Sequence, residues 1–227
     1  MTSFSRPELA AYLDHTILKP DATQGDVDKV VDEALRLSCF SVCIEMKWLT
    51  HVAKRLAGSP VIPITVISFP GGNDSTAKKM ADTKEAISMG AKEIDMVLNR
   101  GLLKEKAFGL AEKDISSVVG AAGKIPVKVI LETSELDRDE IVSACVICKL
   151  AGANFVKTST GFSKAGATAE NVALMRKIVG SEMGVKASGG VRSYEDAIKM
   201  IEAGASRIGT SGAVAIIDKI PGGVGSY

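Results

Sequence analysis

Eight short runs rich in β-branched and aliphatic residues recur along the chain, each separated from the next by a longer amphipathic segment. Strands that alternate in this way with helix-length segments build a parallel sheet covered by helices, because a parallel connection has to cross the sheet. The runs fall near 12–14, 40–44, 63–68, 93–97, 126–131, 154–158, 184–187 and 206–209. Eight such strands predict a closed barrel, and 227 residues suit one. No Pro/Ser-rich linker or change of composition divides the chain. The expectation is a single α/β domain over residues 1–227, a (β/α)₈ TIM barrel preceded by a short N-terminal helix.

Three segments repeat one pattern: SMGAKEIDMV, LAGANFVKTS and EAGASRIGTS each carry Gly-Ala, two further residues, then a strand. Gly90, Gly152 and Gly204 fit the position just past a helix, where a positive φ favours glycine. Five residues beyond them lie Asp95, Lys157 and Gly209, which equivalence of the three units would place at one level near the carboxyl ends of the strands. That end carries the active site in this fold.

Strands of a parallel barrel are buried on both faces and normally read as Val, Ile and Leu. Here three consecutive ones carry lysine: Lys128 in PVKVILET, Lys157 in NFVKTSTG and Lys186 in GVKASGG. Singly, each reads as a snorkelling or ion-paired side chain. Together with Asp95 on the preceding strand they form an arc of polar groups that core packing does not favour. A neutral lysine amine attacks carbonyls to form an iminium, yet at a reference pKa of about 10.4 roughly one molecule in 2,500 is neutral at pH 7. Reaching a pKa of about 7 takes on the order of 4.6 kcal/mol, and a second ammonium about 4 Å away contributes roughly 4 kcal/mol at an effective dielectric near 20. Two lysines on adjacent strands therefore make a nucleophile and a perturber, without saying which is which. Asp95 between apolar neighbours is costly unless paired or engaged in proton transfer.

Glycine-rich turns follow the last two strands, at Ser188-Gly189-Gly190-Val191-Arg192 and Gly209-Thr210-Ser211-Gly212. Loops after strands 7 and 8 commonly bind phosphate in these barrels. The T-S-T-G at 158–161 adds hydroxyl and amide donors to the same cradle. His15, at the end of the first strand, reads equally as an anchor or a catalyst, and His51 as an ordinary helix residue.

Other classes are disfavoured. A net charge of +1 and the absence of a basic stripe with interleaved aromatics argue against nucleic acid. Arg6, Pro7 and Glu8 interrupt any signal-like apolar stretch, and later apolar runs are too short for a bilayer, so a cytoplasmic protein without a membrane partner is expected. Cys145 and Cys148 form C-V-I-C, but inside a helical run and without further ligands at zinc spacing. They, Cys39 and Cys43 read as buried structural thiols. No metal or organic cofactor is called for.

The segments LDHTILKPDAT, SVCIEMKWL, EIDMVLNRG, VKVILET, NFVKTSTGF and VKASGGVRS, spread over nearly the whole chain, resemble the deoxyribose-phosphate aldolase family. The pairing of V-K-T-S-T-G with V-K-A-S-G-G-V-R is far more specific than a glycine loop. The resemblance implies a cofactor-free, metal-free class I aldolase that cleaves 2-deoxy-D-ribose 5-phosphate reversibly to D-glyceraldehyde 3-phosphate and acetaldehyde, in an assembly of two or four subunits. By motif it implies Lys157 as the Schiff-base nucleophile, Lys186 as the neighbour that lowers its pKa and Asp95 as the proton-transfer carboxylate. Lys128, Asp14, Thr16, Cys43 and Tyr227 would support them. Thr160, Gly161, Gly189, Gly190, Gly209 and Ser211 would hold the phosphate. Two other readings compete: a transaldolase-like or keto-acid aldolase with the same lysine, and a non-catalytic phosphosugar-binding barrel, which has no need of a lysine pair beside an aspartate.

Overall fold

The structure, a computed structural model, describes residues 4–218. Eight parallel strands close into one barrel in sequence order: β1 (Leu13–Ile17), β2 (Ser41–Ile44), β3 (Ile62–Ile67), β4 (Glu93–Val97), β5 (Val127–Ile130), β6 (Phe155–Lys157), β7 (Gly184–Ser188) and β8 (Arg207–Thr210). Around them lie α1 (Arg6–Ala10), α2 (Gln24–Leu37), α3 (Leu49–Arg55), α4 (Thr76–Ser88), α5 (Arg100–Lys104), α6 (Phe108–Ala122), α7 (Arg138–Leu150), α8 (Ala169–Val179), α9 (Tyr194–Glu202) and α10 (Ala213–Asp218). All eight strand runs expected from the sequence are present. The expected N-terminal helix is α1, started by a reciprocal Ser5–Glu8 capping box.

One boundary differs appreciably. β1 runs to Ile17, three residues past the expected end at 14. Asp14 and Thr16 point into the barrel, and inward polar side chains break the apolar pattern by which a buried strand is recognised. His15, between them, points outward: its Nε2 lies 2.8 Å from Glu33 on α2 and its Nδ1 3.4 Å from the Thr210 carbonyl. It is an anchor between β1 and α2, and His51 on α3 contacts Asp28 at 2.7 Å.

Strand register fixes which residues share a level. Stepping once round the barrel through the paired residues, a path leaving Asp14 returns at position 6, the eight-residue stagger of a TIM barrel. With that tilt the interior side chains stack in layers of four drawn from alternate strands. Ser41, Glu93, Phe155 and Arg207 form the lowest, followed by Asp14, Ile64, Lys128 and Lys186. Cys43, Asp95, Lys157 and Gly209 lie above them, nearest the carboxyl ends. The equivalence read from the three Gly-Ala repeats thus holds, and Gly90, Gly152 and Gly204 have φ of 108°, 77° and 109°.

Outside the strands, the apolar faces of the helices cover the barrel; Val27, Val31 and Ala34 of α2, for instance, are fully buried. All four cysteines are free and buried. Burial pushes the Cys39 and Cys145 thiols up to about 12, Cys148 well above its usual value, and Cys43 upward as well. These are inert, protonated core groups at neutral pH. A buried ion pair lies between barrel and helices: Lys79 of α4 donates to Asp114 of α6 at 2.6 Å and to the Val97 carbonyl at 3.3 Å.

Candidate active site

Of the three strand lysines, Lys128 and Lys186 are fully buried and Lys157 alone reaches the wall of a cavity of about 770 Å³ at the carboxyl end of the barrel. Its level explains this, since Lys157 belongs to the uppermost of the three layers and Lys128 and Lys186 to the one beneath. Gly209, in the same layer as Lys157, leaves room for the neighbour below. A Cβ there would come within 2.9 Å of Lys186 Cε and 3.0 Å of Ser188 Cβ.

The amines converge on one carboxylate. Lys157 Nζ donates to Asp95 Oδ2 at 2.8 Å, Lys186 Nζ to the same oxygen at 2.9 Å, and Lys128 Nζ to Oδ1 at 2.7 Å. Lys186 also contacts Asp14 at 2.5 Å, and Lys128 contacts Glu93 at 2.6 Å. Asp14 is held in addition by Ser41 at 2.7 Å and by Arg207 at 3.0 Å. Burial works to raise the Asp95 carboxyl, but the three surrounding lysines outweigh it and hold the group well below the usual carboxylate range. Asp14 is lowered for the same reason, by Lys186 and Arg207 against burial.

Lys157 and Lys186 then part company. Burial lowers Lys157 below its ordinary value, Asp95 opposes it, and the Lys186 charge lowers it further. Lys186 is also buried, yet Asp14 and Asp95 together raise it above its ordinary value. One amine is thus biased toward the neutral, nucleophilic form and the other toward the permanent cation. Of the two effects that depress Lys157, burial is the larger and the Lys186 charge the smaller, and Asp95, lying between the amines, opposes both.

Thr16, Thr160, Gly161, Ser188, Gly189, Gly190, Gly209 and Ser211 all line the cavity, so the structure brings the residues expected to hold phosphate to the wall that Lys157 reaches. Gly161, Gly189 and Gly190 have φ of 90°, 80° and 79°, a conformation that glycine adopts without strain. The two threonine hydroxyls of the T-S-T-G segment bond within the protein, whereas the buried Ser159 hydroxyl has no partner among the described residues. Thr158 Oγ1 donates to the Ser188 carbonyl and accepts from its amide, both at 3.0 Å, while the Thr160 hydroxyl and amide both donate to Glu132. They fix the loops that shape the wall. Asp14, Cys43, Asp95, Lys128 and Lys186 lie beneath the cavity floor, and Tyr227 lies outside the described residues.

Sequence reasoning passed over four contributors. Glu93 and Arg207 sit two residues before Asp95 and Gly209, hence on the same inward face, and the period of two was signal enough to find them. Gly166 packs so closely on the loop after β7 that a Cβ would fall 2.0 Å from the Gly189 carbonyl oxygen. Phe162, half-exposed on the wall, stacks edge-on with Phe69 at 5.3 Å, and its preceding glycine turn gave no hint of this. No group of three or more His, Cys, Asp and Glu suited to a metal ion occurs among the described residues.

A TIM barrel with a desolvated lysine at the carboxyl end, a carboxylate on its amine and a glycine-lined cavity above defines an enzyme of the amine-nucleophile, carbonyl-activating class. Residues 9–218 match the model of the DeoC/LacD family aldolases, and the chain belongs to that family. It is 56% identical to a deoxyribose-phosphate aldolase of Bacillus mycoides over 92% of this chain and 94% of that one. A deoxyribose-phosphate aldolase of Streptococcus sanguinis is 53% identical over 92% and 96% of the two chains. Among solved structures, the tetrameric deoxyribose phosphate aldolase from Aeropyrum pernix superposes with a TM-score of 0.88 at 32% identity, covering 95% of this chain and 92% of that one.

Proposed function

We propose that the chain is a class I aldolase that cleaves 2-deoxy-D-ribose 5-phosphate reversibly to D-glyceraldehyde 3-phosphate and acetaldehyde. The observation that carries the reading is the placement of Lys157. It is the strand lysine that opens on the cavity, and its amine touches a buried carboxylate shared with a second ammonium. The neutral Lys157 amine adds to the C1 aldehyde of the open-chain sugar, and loss of water gives the iminium. Removal of the C3 hydroxyl proton then breaks the C2–C3 bond, the electron pair flowing into the iminium to leave an enamine and free glyceraldehyde phosphate. Protonation at C2 and hydrolysis release acetaldehyde and the amine.

Asp95 stays ionised among its three lysines and accepts or returns protons through water at the Lys157 nitrogen. Lys186 remains a cation, favouring the neutral nucleophile, while Lys128, Asp14, Thr16 and Cys43 hold this arrangement from below and beside it. Thr160, Gly161, Gly189, Gly190, Gly209 and Ser211 line the space in which the 5-phosphate rests, and backbone amides of the glycine turns are its natural donors. Residues 1–227 act as one domain in this reading, in a cytoplasmic assembly of two or four subunits. A tetrameric relative supports the assembly, and no helix among the described residues is long and apolar enough to cross a membrane.

The test is chemical trapping. Incubation with acetaldehyde and borohydride places an ethyl group on Lys157, located by peptide mapping, and does so equally in the presence of a chelator. An adduct on Lys186 instead reverses the assignment, and an active enzyme without any adduct removes the Schiff-base mechanism.

A further inference from the structure

The barrel interior holds a set of charges whose balance depends on Lys157. Asp14, Glu93 and Asp95 are its carboxylates; Lys128, Lys186 and Arg207 are its other cations, each buried. They form one connected cluster. Arg207 bridges Asp14 at 3.0 Å and Glu93 at 3.2 Å, Lys128 bridges Glu93 at 2.6 Å and Asp95 at 2.7 Å, and Lys186 bridges Asp14 at 2.5 Å and Asp95 at 2.9 Å. Three negative charges thus meet three positive ones before Lys157 is counted. A neutral Lys157 leaves the cluster neutral, whereas a protonated one places an uncompensated positive charge in the core, where net charge is expensive.

We propose that Glu93 and Arg207, two layers below the nucleophile and touching neither it nor the cavity, are positioning residues that set the protonation state of Lys157 by fixing this count. The Arg207 guanidinium is locked in place, stacked 3.4 Å from the centre of the Phe40 ring while it holds both carboxylates. Its charge is permanent. Lys157 is faced by Asp95 from β4, Lys128 from β5, Lys186 from β7, Asp14 from β1 and the protonated Cys43 thiol from β2. β3 brings only Ile64 and Val66. On the cavity side Lys19, Asp21, Lys164 and Arg192 line the walls, where solvent screens them.

The reach is sufficient. Arg207 pairs in register with Lys186 and Lys186 with Lys157, so two strand spacings of about 4.8 Å separate the backbones of Arg207 and Lys157. A unit charge about 10 Å away at an effective dielectric near 20 moves a pKa by about one unit, and Glu93 and Arg207 act in opposite directions.

The inference concerns the site assigned above and rests on Lys157 being its nucleophile, but its test does not require the aldol reaction. The pKa of Lys157 is read from the pH dependence of its acetylation by trace acetic anhydride, quantified by peptide mass spectrometry. Glu93→Gln is expected to lower it by about one unit and Arg207→Met to raise it by about one. Arg207→Lys and the double variant Glu93→Gln/Arg207→Met, which keep the count balanced, stay within a few tenths of the wild type. Single variants that move the pKa in the same direction, or not at all, overturn the proposal. If a single variant does not fold, a balanced variant displaced by a full unit overturns it alone, and one that holds the wild-type value beside a shift in the remaining single variant sustains it. Failure to trap acetaldehyde on Lys157 would refute the aldolase reading while leaving this titration intact.

Discussion

Replacing Lys186 by methionine removes one charge at nearly constant volume, which core packing tolerates well. Lys157 and Lys186 bond the same Asp95 oxygen at 2.8 and 2.9 Å, so their nitrogens are no more than about 5.7 Å apart, the two contacts laid end to end. At that separation and an effective dielectric near 20, two unit charges repel by about 3 kcal/mol, equivalent to about two pH units. Lys186→Met also frees Asp95 to attract Lys157 more strongly, which acts in the same direction. The amine must be neutral to attack, so activity is lost as the pH falls through its pKa. Raising that pKa moves the loss to higher pH. The acid limb of the pH–rate profile should therefore shift up by about two units, with up to 100-fold less activity at pH 7 and recovery toward alkaline pH. Borohydride trapping of acetaldehyde across the same pH range isolates the imine step. An acid limb that stays in place while the rate falls uniformly would show that desolvation alone sets the Lys157 pKa and that Lys186 acts some other way.

Gly209→Ala should reproduce part of this effect, because the new methyl presses on Lys186 from the layer above; a smaller alkaline shift of the same profile, with about 1–3 kcal/mol lost in denaturant unfolding, is the expected result. Gly166→Ala drives a methyl into the Gly189 carbonyl, so the KM for the phosphorylated substrate should rise at least about tenfold while trapping of acetaldehyde, which has no phosphate, changes little. Lys79→Met leaves Asp114 buried without its cation and should cost about 3–5 kcal/mol in urea unfolding, with Lys79→Met/Asp114→Leu recovering most of it and the acid limb unmoved in either.

Much of the fold was legible because helices and strands announce themselves at different periods and the Gly-Ala stops recur in step. What escaped was hidden by function or by distance. β1 looked short because Asp14 and Thr16 occupy inward positions that a barrel usually fills with aliphatic groups. Lys79 lies in a helix, where lysine ordinarily reads as a solvated side chain, and its partner is 35 residues away on α6. Residue type alone could not say which of Lys157 and Lys186 would serve as the proposed nucleophile, since both sit in near-identical V-K contexts. Their levels in the barrel differ, and level emerges only from register. That the Thr158 and Thr160 hydroxyls bond within the protein was not legible, because their partners, Ser188 at the end of β7 and Glu132 after β5, are distant in sequence.

The same register explains why the interior is charged at all. Buried ion pairs seldom add stability over apolar residues of similar volume, so a barrel filled with Val, Ile and Leu at these positions would lose nothing in folding. It would lose the means to keep an amine neutral in water's pH range. Burial alone lowers a lysine, but a lone desolvated amine has no partner to take up or return the protons that imine chemistry moves at its nitrogen. In the proposed reaction Asp95 supplies that partner, and a carboxylate by itself would re-protonate the amine it serves. Lys128 and Lys186 restore the bias by bonding the carboxylate from the layer below, and those cations in turn need Asp14 and Glu93, which need Arg207. Each charge is required by the one above it, so the cluster extends downward until an arginine stacked on Phe40 closes it at the far end of the barrel.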